Sequence, residues 1–295
     1  MSAESAAAER DSNIIIEQQL KGRLDAIEKA ANTDLLAYFG PMYPPADDQI
    51  KDAVEALTKR KGTLMVVLET GGGYVNVVER IARIFRHHYK RVEFVVPNYA
   101  MSAGTVLVMS GDAIHMDYAS VLGPIDPQIE RGGDLVPALG YLALYERLVA
   151  KSAAGTLTTA ELAYLVEKFD PAELYRYEQE RELSIALLED WLVKYKFKNW
   201  KTTQTSKTPV TAKMRKDRAK AIGEQLNETD RWHSHGRGIP MEVLRRNLKL
   251  HIQDFGSDAK LGPPMRGYYH LLRDYQMRRG HDLFIIHTRG DYVGF

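Results

Sequence analysis

"NYAMSAGTVLVMSGD", Asn98–Asp112, sets a serine at an abrupt change from strand to helix, between residues too small to shield it. Ser102 is then either the N-cap of a tight turn or a nucleophile held out for attack. Upstream, "TLMVVLET" (Thr63–Thr70) is a short apolar run closed by Gly71, Gly72 and Gly73, the composition of a buried strand. "VNVVERIARIFRHHY" repeats apolar residues at Val75, Val78, Ile81, Ala82 and Phe85, along one helix face. "RVEFVVP" predicts a second strand, "SAGTVLVMSG" a short apolar helix and "DAIHMD" a third strand. Strand, helix, strand, helix, strand implies parallel strands joined by right-handed crossovers. Both strand-to-helix junctions, the glycine run and "AMSAG", then fall at carboxyl ends of strands, where open α/β sheets place ligands. The two turns are expected to be neighbours in space.

Composition bounds the rest. The chain has 295 residues, 44% of them apolar, enough for a sizeable core in one large domain or a domain with appendages. A net charge of +1 gives no footing for nucleic acid or an anionic membrane. With no cysteine, disulfides, zinc–thiolate sites and a cysteine nucleophile are excluded, and the chain suits a reducing cytoplasm. "MSAESAAAERDSN" lacks the apolar core of a secretory signal. No run approaches the roughly 18–20 apolar residues of a membrane-spanning helix. A soluble, cytoplasmic protein without stable membrane insertion is expected.

Along the chain, residues 13 to 39 place apolar residues at helical intervals, and "GPMYPPADD" reads as a proline-rich loop. "DDQIKDAVEALTKRKG" has aspartates at its start, basic residues near its end and a glycine after, the signals of a short helix. From about Leu135 to Lys201 the chain reads helical, and "NWKTTQTSKTPVTAK" is a polar connector. "TAKMRKDRAKAIGEQL" is a basic helix with a solvated face, "IPMEVLRRNLKLHI" a further helix, and "DLFIIHTRGDYVGF" a β-like tail that can pair as a hairpin. The division expected is a helical region over 1–60, a catalytic core over 61–200, and a helical extension with the β-like tail over 201–295.

A serine hydroxyl is a weak nucleophile at neutral pH. It needs a base, donors for the oxyanion, and a geometry that exposes its oxygen. The strand-to-helix turn supplies the geometry, as in a nucleophile elbow. Ala100, Ala103 and Gly104 leave room for a substrate carbonyl. The Ala103 N–H, at the start of the helix, points to where an oxyanion would form. The glycine turn can offer a second amide.

Together "LETGGGYVNVVERIARIF", "VVPNYAMSAGTVLVMSGDAIHMDYASVLGPIDPQI" and "RWHSHGRGIPMEVLRRNLKL" resemble the serine dehydrogenase proteinase family. That family groups with signal peptide peptidase A in the Clp-protease/crotonase superfamily. The resemblance covers Thr63 to Ile129 and, more weakly, Trp232 to Leu250. It implies a crotonase-like, Clp-protease-like β/α spiral with additional helices, and peptide hydrolysis by an activated serine. It puts the nucleophile at Ser102, the oxyanion donors at Gly73 and Ala103, and substrate contacts at Gly72 and Pro124. It implies no cofactor and no metal, a polypeptide substrate, and assembly of several copies of the chain. No GxGxxG motif supports a dehydrogenase.

The base is less plain. Clp proteases use a histidine in the stretch comparable to "SVLGPIDPQ", which has none here; His115 precedes it, in a predicted strand. Signal peptide peptidases use a serine–lysine dyad, and Lys151 in "ERLVAKSAAG" stands downstream on an otherwise apolar helix. A lysine serves as base only if burial lowers its pKa from about 10.4, and the alternative is a surface lysine ending a helical turn. Lys168 is the second candidate. The turn reads "TGGG" where the superfamily has proline before the glycine pair. His233 and His235 suggest a metal pair or a structural or substrate-side role, with no third ligand nearby. Asp126 either orients a partner or caps a turn. Three functions remain: a serine–lysine peptidase, a non-catalytic oligomeric scaffold of the same fold, and an acyl-CoA enzyme of the crotonase type.

Overall fold

The computed structural model describes residues 3–126, 128–131, 134–203, 205–232 and 234–295. The first third of the chain forms α1 (Ala3–Ala31), β1 (Asp34–Phe39), α2 (Ala46–Ala56), β2 (Thr63–Glu69), α3 (Val75–His88) and β3 (Arg91–Val96). There follow β4 (Tyr99–Ala100), α4 (Ala103–Met109), β5 (Ala113–Met116), β6 (Val121–Leu122), β7 (Gln128–Arg131) and β8 (Asp134–Pro137). Four longer helices come next: α5 (Ala138–Ala153), α6 (Thr159–Lys168), α7 (Pro171–Trp191) and α8 (Ala212–Asn227). The remainder is α9 (Thr229–Trp232), β9 (Ile239–Pro240), α10 (Met241–Arg246), β10 (Gln253–Asp254), α11 (Gly262–Arg279), β11 (Ile285–Thr288) and β12 (Tyr292–Gly294).

Two compact units result: residues 1–122 with 238–295, and residues 123–237. The first carries a seven-stranded sheet of order β10-β5-β3-β2-β1-β11-β12. Its first five strands in that order run parallel, and β11 and β12 add an antiparallel edge. β1 is buried along its whole length, as a strand covered on both faces must be. Leu35, Ala37, Phe39, Met65, Val67 and Val95 meet Leu20, Leu24 and Ile27 of α1 and Met265, Tyr268, Leu272 and Tyr275 of α11. Alternation along a strand turns the intervening residues to the opposite face, where Phe94 meets Phe85 of α3, ring centroids 6.5 Å apart. Each such leucine, isoleucine, valine, methionine or phenylalanine side chain contributes about 1.5–3 kcal/mol on burial. A second, three-stranded sheet, β4-β6-β9, leads into and away from the serine turn.

The second unit is helical apart from the β7–β8 hairpin. Tyr141, Leu142, Leu148, Phe169, Leu174 and Tyr177 form its core, with Tyr141 and Phe169 stacked at 4.5 Å. Thr158, Asp170 and Thr211 cap α6, α7 and α8 through their side chains.

The strands and helices predicted between Thr63 and Asp117 and the terminal hairpin are present. Other predicted helices differ in their bounds. The one over 13–39 ends at Ala31, and Asp34–Phe39 is β1. An apolar run flanked by β2 and β11 and covered on both faces carries no period that separates strand from helix. Leu135 lies in β8, and the helix begins at Ala138. "IPMEVLRRNLKLHI" yields only α10, preceded by β9. α11 is not among the predicted elements, although its buried residues recur at helical spacing and Gly280 closes it at φ 64°.

Candidate active site

The glycine run and the serine turn are neighbours, joined through Thr70. Thr70 bridges Ala100: its N–H donates to the Tyr99 carbonyl at 3.2 Å, and its carbonyl accepts from Met101 N–H at 2.9 Å. Thr70 Oγ1 accepts from the Gly72 N–H at 3.0 Å. Gly72 sits at φ +105°, where a Cβ would stand 2.8 Å from Ser102 Cβ and 2.9 Å from the Met101 carbonyl oxygen. Gly73, at φ +147°, abuts Met42, whose carbonyl oxygen would lie 2.5 Å from a Cβ. Met42 donates to the Gly72 carbonyl at 2.7 Å and accepts from Tyr74 N–H at 3.0 Å. In that parallel bridge the amides flanking Gly73 are the ones engaged, so its own N–H turns away from Met42. At Gly71 a Cβ would meet nothing within 4 Å. The third glycine of the turn is therefore not required by space.

Ser102 holds φ 51° and ψ −121° at the N-cap position of α4, yet its side chain makes no capping bond. A non-glycine residue in such a conformation costs on the order of 1–3 kcal/mol. Among the residues that follow, Gly104 N–H donates to Met101, and Thr105 and Val106 N–H to Ser102. Ala103, the first residue of α4, has no backbone acceptor for its N–H among the described residues. Thr105 Oγ1 donates to the Ala100 carbonyl at 2.8 Å, and a Cβ on Gly104 would meet Thr70 Cγ2 at 2.3 Å, so the start of α4 is packed tightly on β4 and on the residue that follows β2. Such a turn can offer a half-buried hydroxyl and amide hydrogens to one carbonyl group.

Beneath both turns lies a residue that sequence reasoning missed. Glu69, 2% exposed, ends β2. Its carboxylate accepts from Asn98 Nδ2 at 3.2 Å and from the Tyr269 hydroxyl, and Arg273 Nε lies 3.3 Å away. Burial, then the bond to Glu69 and its charge, push the Tyr269 phenol far above its ordinary range. One carboxylate thus ties the end of β2, the entry to the serine turn and α11 together. Its partners Asn98 and Tyr269 are 29 and 200 residues away along the chain, which leaves no local pattern to read.

The remaining candidates lie mostly in the second unit. Lys151 Nζ donates to Glu161 Oε1 at 2.5 Å, with its side chain 44% exposed. That bond, followed by those from Thr158, pulls the Glu161 carboxyl down to about 2. Lys168 Nζ pairs with Glu167 at 2.6 Å and is also exposed. The buried Asp126 carboxylate lies 2.9 Å from His235 Nδ1. Pro124 is buried two residues earlier. His233 lies outside the described residues, so the histidine pair is not seen as a pair. Among the described residues no group of three acidic or histidine side chains could hold a metal ion. In the first unit His115 is buried in β5 with Nε2 2.8 Å from Glu93 Oε2, a core residue.

Residues 45–170 match the family described as ClpP-like SDH-type serine proteinase, the family that the residues themselves resemble. The ClpP-like α/β fold expected from the sequence agrees with the parallel-rich sheet described above. The chain is 38% identical over 82 residues to uncharacterized protein MJ0137 of Methanocaldococcus jannaschii, covering 28% of each chain. It is 32% identical over 107 residues to uncharacterized protein MJ1495 of the same organism, covering 36% of this chain and 35% of that one. The chain thus spans about a third of the length of these curated relatives. Among solved structures, a serine-to-alanine variant of the 1510-N membrane-bound stomatin-specific protease is similar at 13% identity and TM-score 0.42, over 74% of this chain and 76% of that one. A lysine-to-alanine variant of that protease with a substrate peptide gives 14% and 0.43, over 74% and 72%. No helix among the described residues is long and apolar enough to cross a membrane.

Proposed function

We propose that this chain, similar over residues 45–170 to the ClpP-like SDH-type serine proteinases, is a serine peptidase with Ser102 as its nucleophile. Ser102 Oγ attacks the peptide carbonyl carbon while its proton passes to a lysine amine. The N–H groups of Gly73 and Ala103 hold the oxyanion of the tetrahedral intermediate, and Gly72 and Pro124 border the bound chain. Collapse expels the amine, which takes the proton, and water then hydrolyses the acyl-enzyme. The observation that carries this reading is the backbone of Ser102: φ 51°, ψ −121°, with no cap made in return, against Gly72. Strain that contributes nothing to helix capping is accounted for by holding the hydroxyl outward.

Lys151 is the proposed base. The role requires its amine to serve the Ser102 hydroxyl rather than stay with Glu161. That 2.5 Å ion pair favours the second reading, a scaffold of the same fold without a working base. The proposed substrate is exposed polypeptide in the cytoplasm, needing no cofactor. Self-assembly is part of the proposal: Leu162, Tyr164 and Val166 of α6 and Tyr175 of α7 are exposed, an apolar surface a second copy could cover. Light scattering checks it, and a monomer of 33.4 kDa contradicts it. The activity is tested on reduced, alkylated casein. Wild-type protein should release peptides, and Ser102→Ala should lose on the order of a millionfold in rate; equal release by both proteins overturns the nucleophile.

A further inference from the structure

Two large aromatic side chains stay in solvent beside the glycine turn. Tyr43 is 46% exposed and Tyr74 59% exposed, with ring centroids 5.0 Å apart at 49°. Each is one residue beyond the Met42–Gly73 bridge, so the backbone bonds at 2.7 and 3.0 Å fix their distance from the Gly73 amide. Each also stands just ahead of a helix, Tyr43 before α2 and Tyr74 before α3. Arg80 of α3 clamps those helices together, meeting Asp47 and Asp48 of α2 at 2.5 Å each. The backbone that carries the rings is thus held by main-chain bonds, and the helices beyond it by a forked ion pair.

We infer that Tyr43 and Tyr74 form an aromatic shelf that takes one large apolar side chain, aromatic or long aliphatic, of the polypeptide bound at Ser102. The inference rests on the peptidase reading. An extended chain advances about 3.3 Å per residue and turns alternate side chains to one side. A peptide whose scissile carbonyl lies at the Gly73 amide therefore brings a side chain within two residues of the cut to the neighbouring rings. Rigid, half-exposed tyrosines present much apolar area at little entropic cost. The shelf is a specificity determinant, not a participant in bond making.

The test is a proteome-derived peptide library digested by the full chain, with cut sites read by mass spectrometry. A plain alkyl fluorophosphonate, too small to need the shelf, reports Ser102 reactivity in parallel. Wild-type protein should show Phe, Tyr, Leu and Met enriched at one position within two residues of the cut. Tyr43→Ala/Tyr74→Ala should lose that enrichment, with a discrimination of on the order of tenfold disappearing, while fluorophosphonate labelling is unchanged. Tyr43→Phe/Tyr74→Phe should keep it. Enrichment that persists in the double alanine variant overturns the shelf, as does its absence from wild type. A changed oligomeric state with an unchanged cut pattern overturns it too and assigns the rings to a contact between copies. Wild-type protein that fails to react with the fluorophosphonate overturns the nucleophile itself, and the shelf with it.

Discussion

Gly72 and Ser102 touch: a Cβ on the glycine would stand 2.8 Å from the Cβ of the serine. The contact joins two turns that are separate in sequence and makes one position of the glycine run decisive. Gly72→Ala also meets the Met101 carbonyl oxygen at 2.9 Å and must hold a backbone at φ +105°. It should cut fluorophosphonate labelling about a hundredfold, on the scale of a lost oxyanion donor, with circular dichroism unchanged. Gly71→Ala, in open space, should label as wild type does.

The base assignment is decided by Lys151 and its partner. Lys151→Ala should leave the fold intact and lower casein hydrolysis about a hundredfold or more. Glu161→Gln, which removes the competing carboxylate at 2.5 Å, should not lower it. Unchanged hydrolysis by Lys151→Ala moves the role to Lys168.

Glu69 predicts a stability effect that spreads to the site. Arg273→Met leaves a buried carboxylate without its guanidinium. Arg273 is about one-third exposed, so the cost falls below that of a fully buried pair, at about 1–3 kcal/mol in urea unfolding. Glu69→Leu removes the charge but also the acceptor for Asn98 and Tyr269, and should slow Ser102 labelling more than Arg273→Met does.

His287 predicts the pH dependence of stability. It is buried in β11 of the terminal hairpin, 2.7 Å from the Tyr268 hydroxyl, and burial, then the charge of Lys21, lowers its pKa from 6.5 to about 4. The folded state thus keeps the imidazole neutral where the unfolded chain would protonate it. The stabilisation is complete above about pH 6.5 and is lost as pH falls towards 4. At about 1.4 kcal/mol per pH unit, the loss approaches about 3 kcal/mol. Urea unfolding at pH 7, 5.5 and 4.5 reads it, and His287→Asn should flatten that part of the slope.

Local pattern made the core of this molecule legible. Alternating strand and helix signals from Thr63 to Asp117 placed both turns at carboxyl ends of strands, and the contact between Gly72 and Ser102 follows from that topology. β1 was obscured because Asp34–Phe39 is buried on every side, which erases the period that marks a strand. α11 did carry a signal in Met265, Tyr268, Leu272 and Tyr275, between Pro263 and Gly280. Glu69 carried none, a lone carboxylate whose meaning lies in Asn98, Tyr269 and Arg273. The serine's strain is likewise a property of its dihedral angles, not of the letters around it.

The most direct measurement is peptide mapping, by mass spectrometry, of the full chain after reaction with the alkyl fluorophosphonate. A single adduct on Ser102, absent from Ser102→Ala, is the predicted result. An adduct on another residue, or an unmodified Ser102 peptide in intact folded protein, would contradict the idea that this strained turn exists to present its hydroxyl.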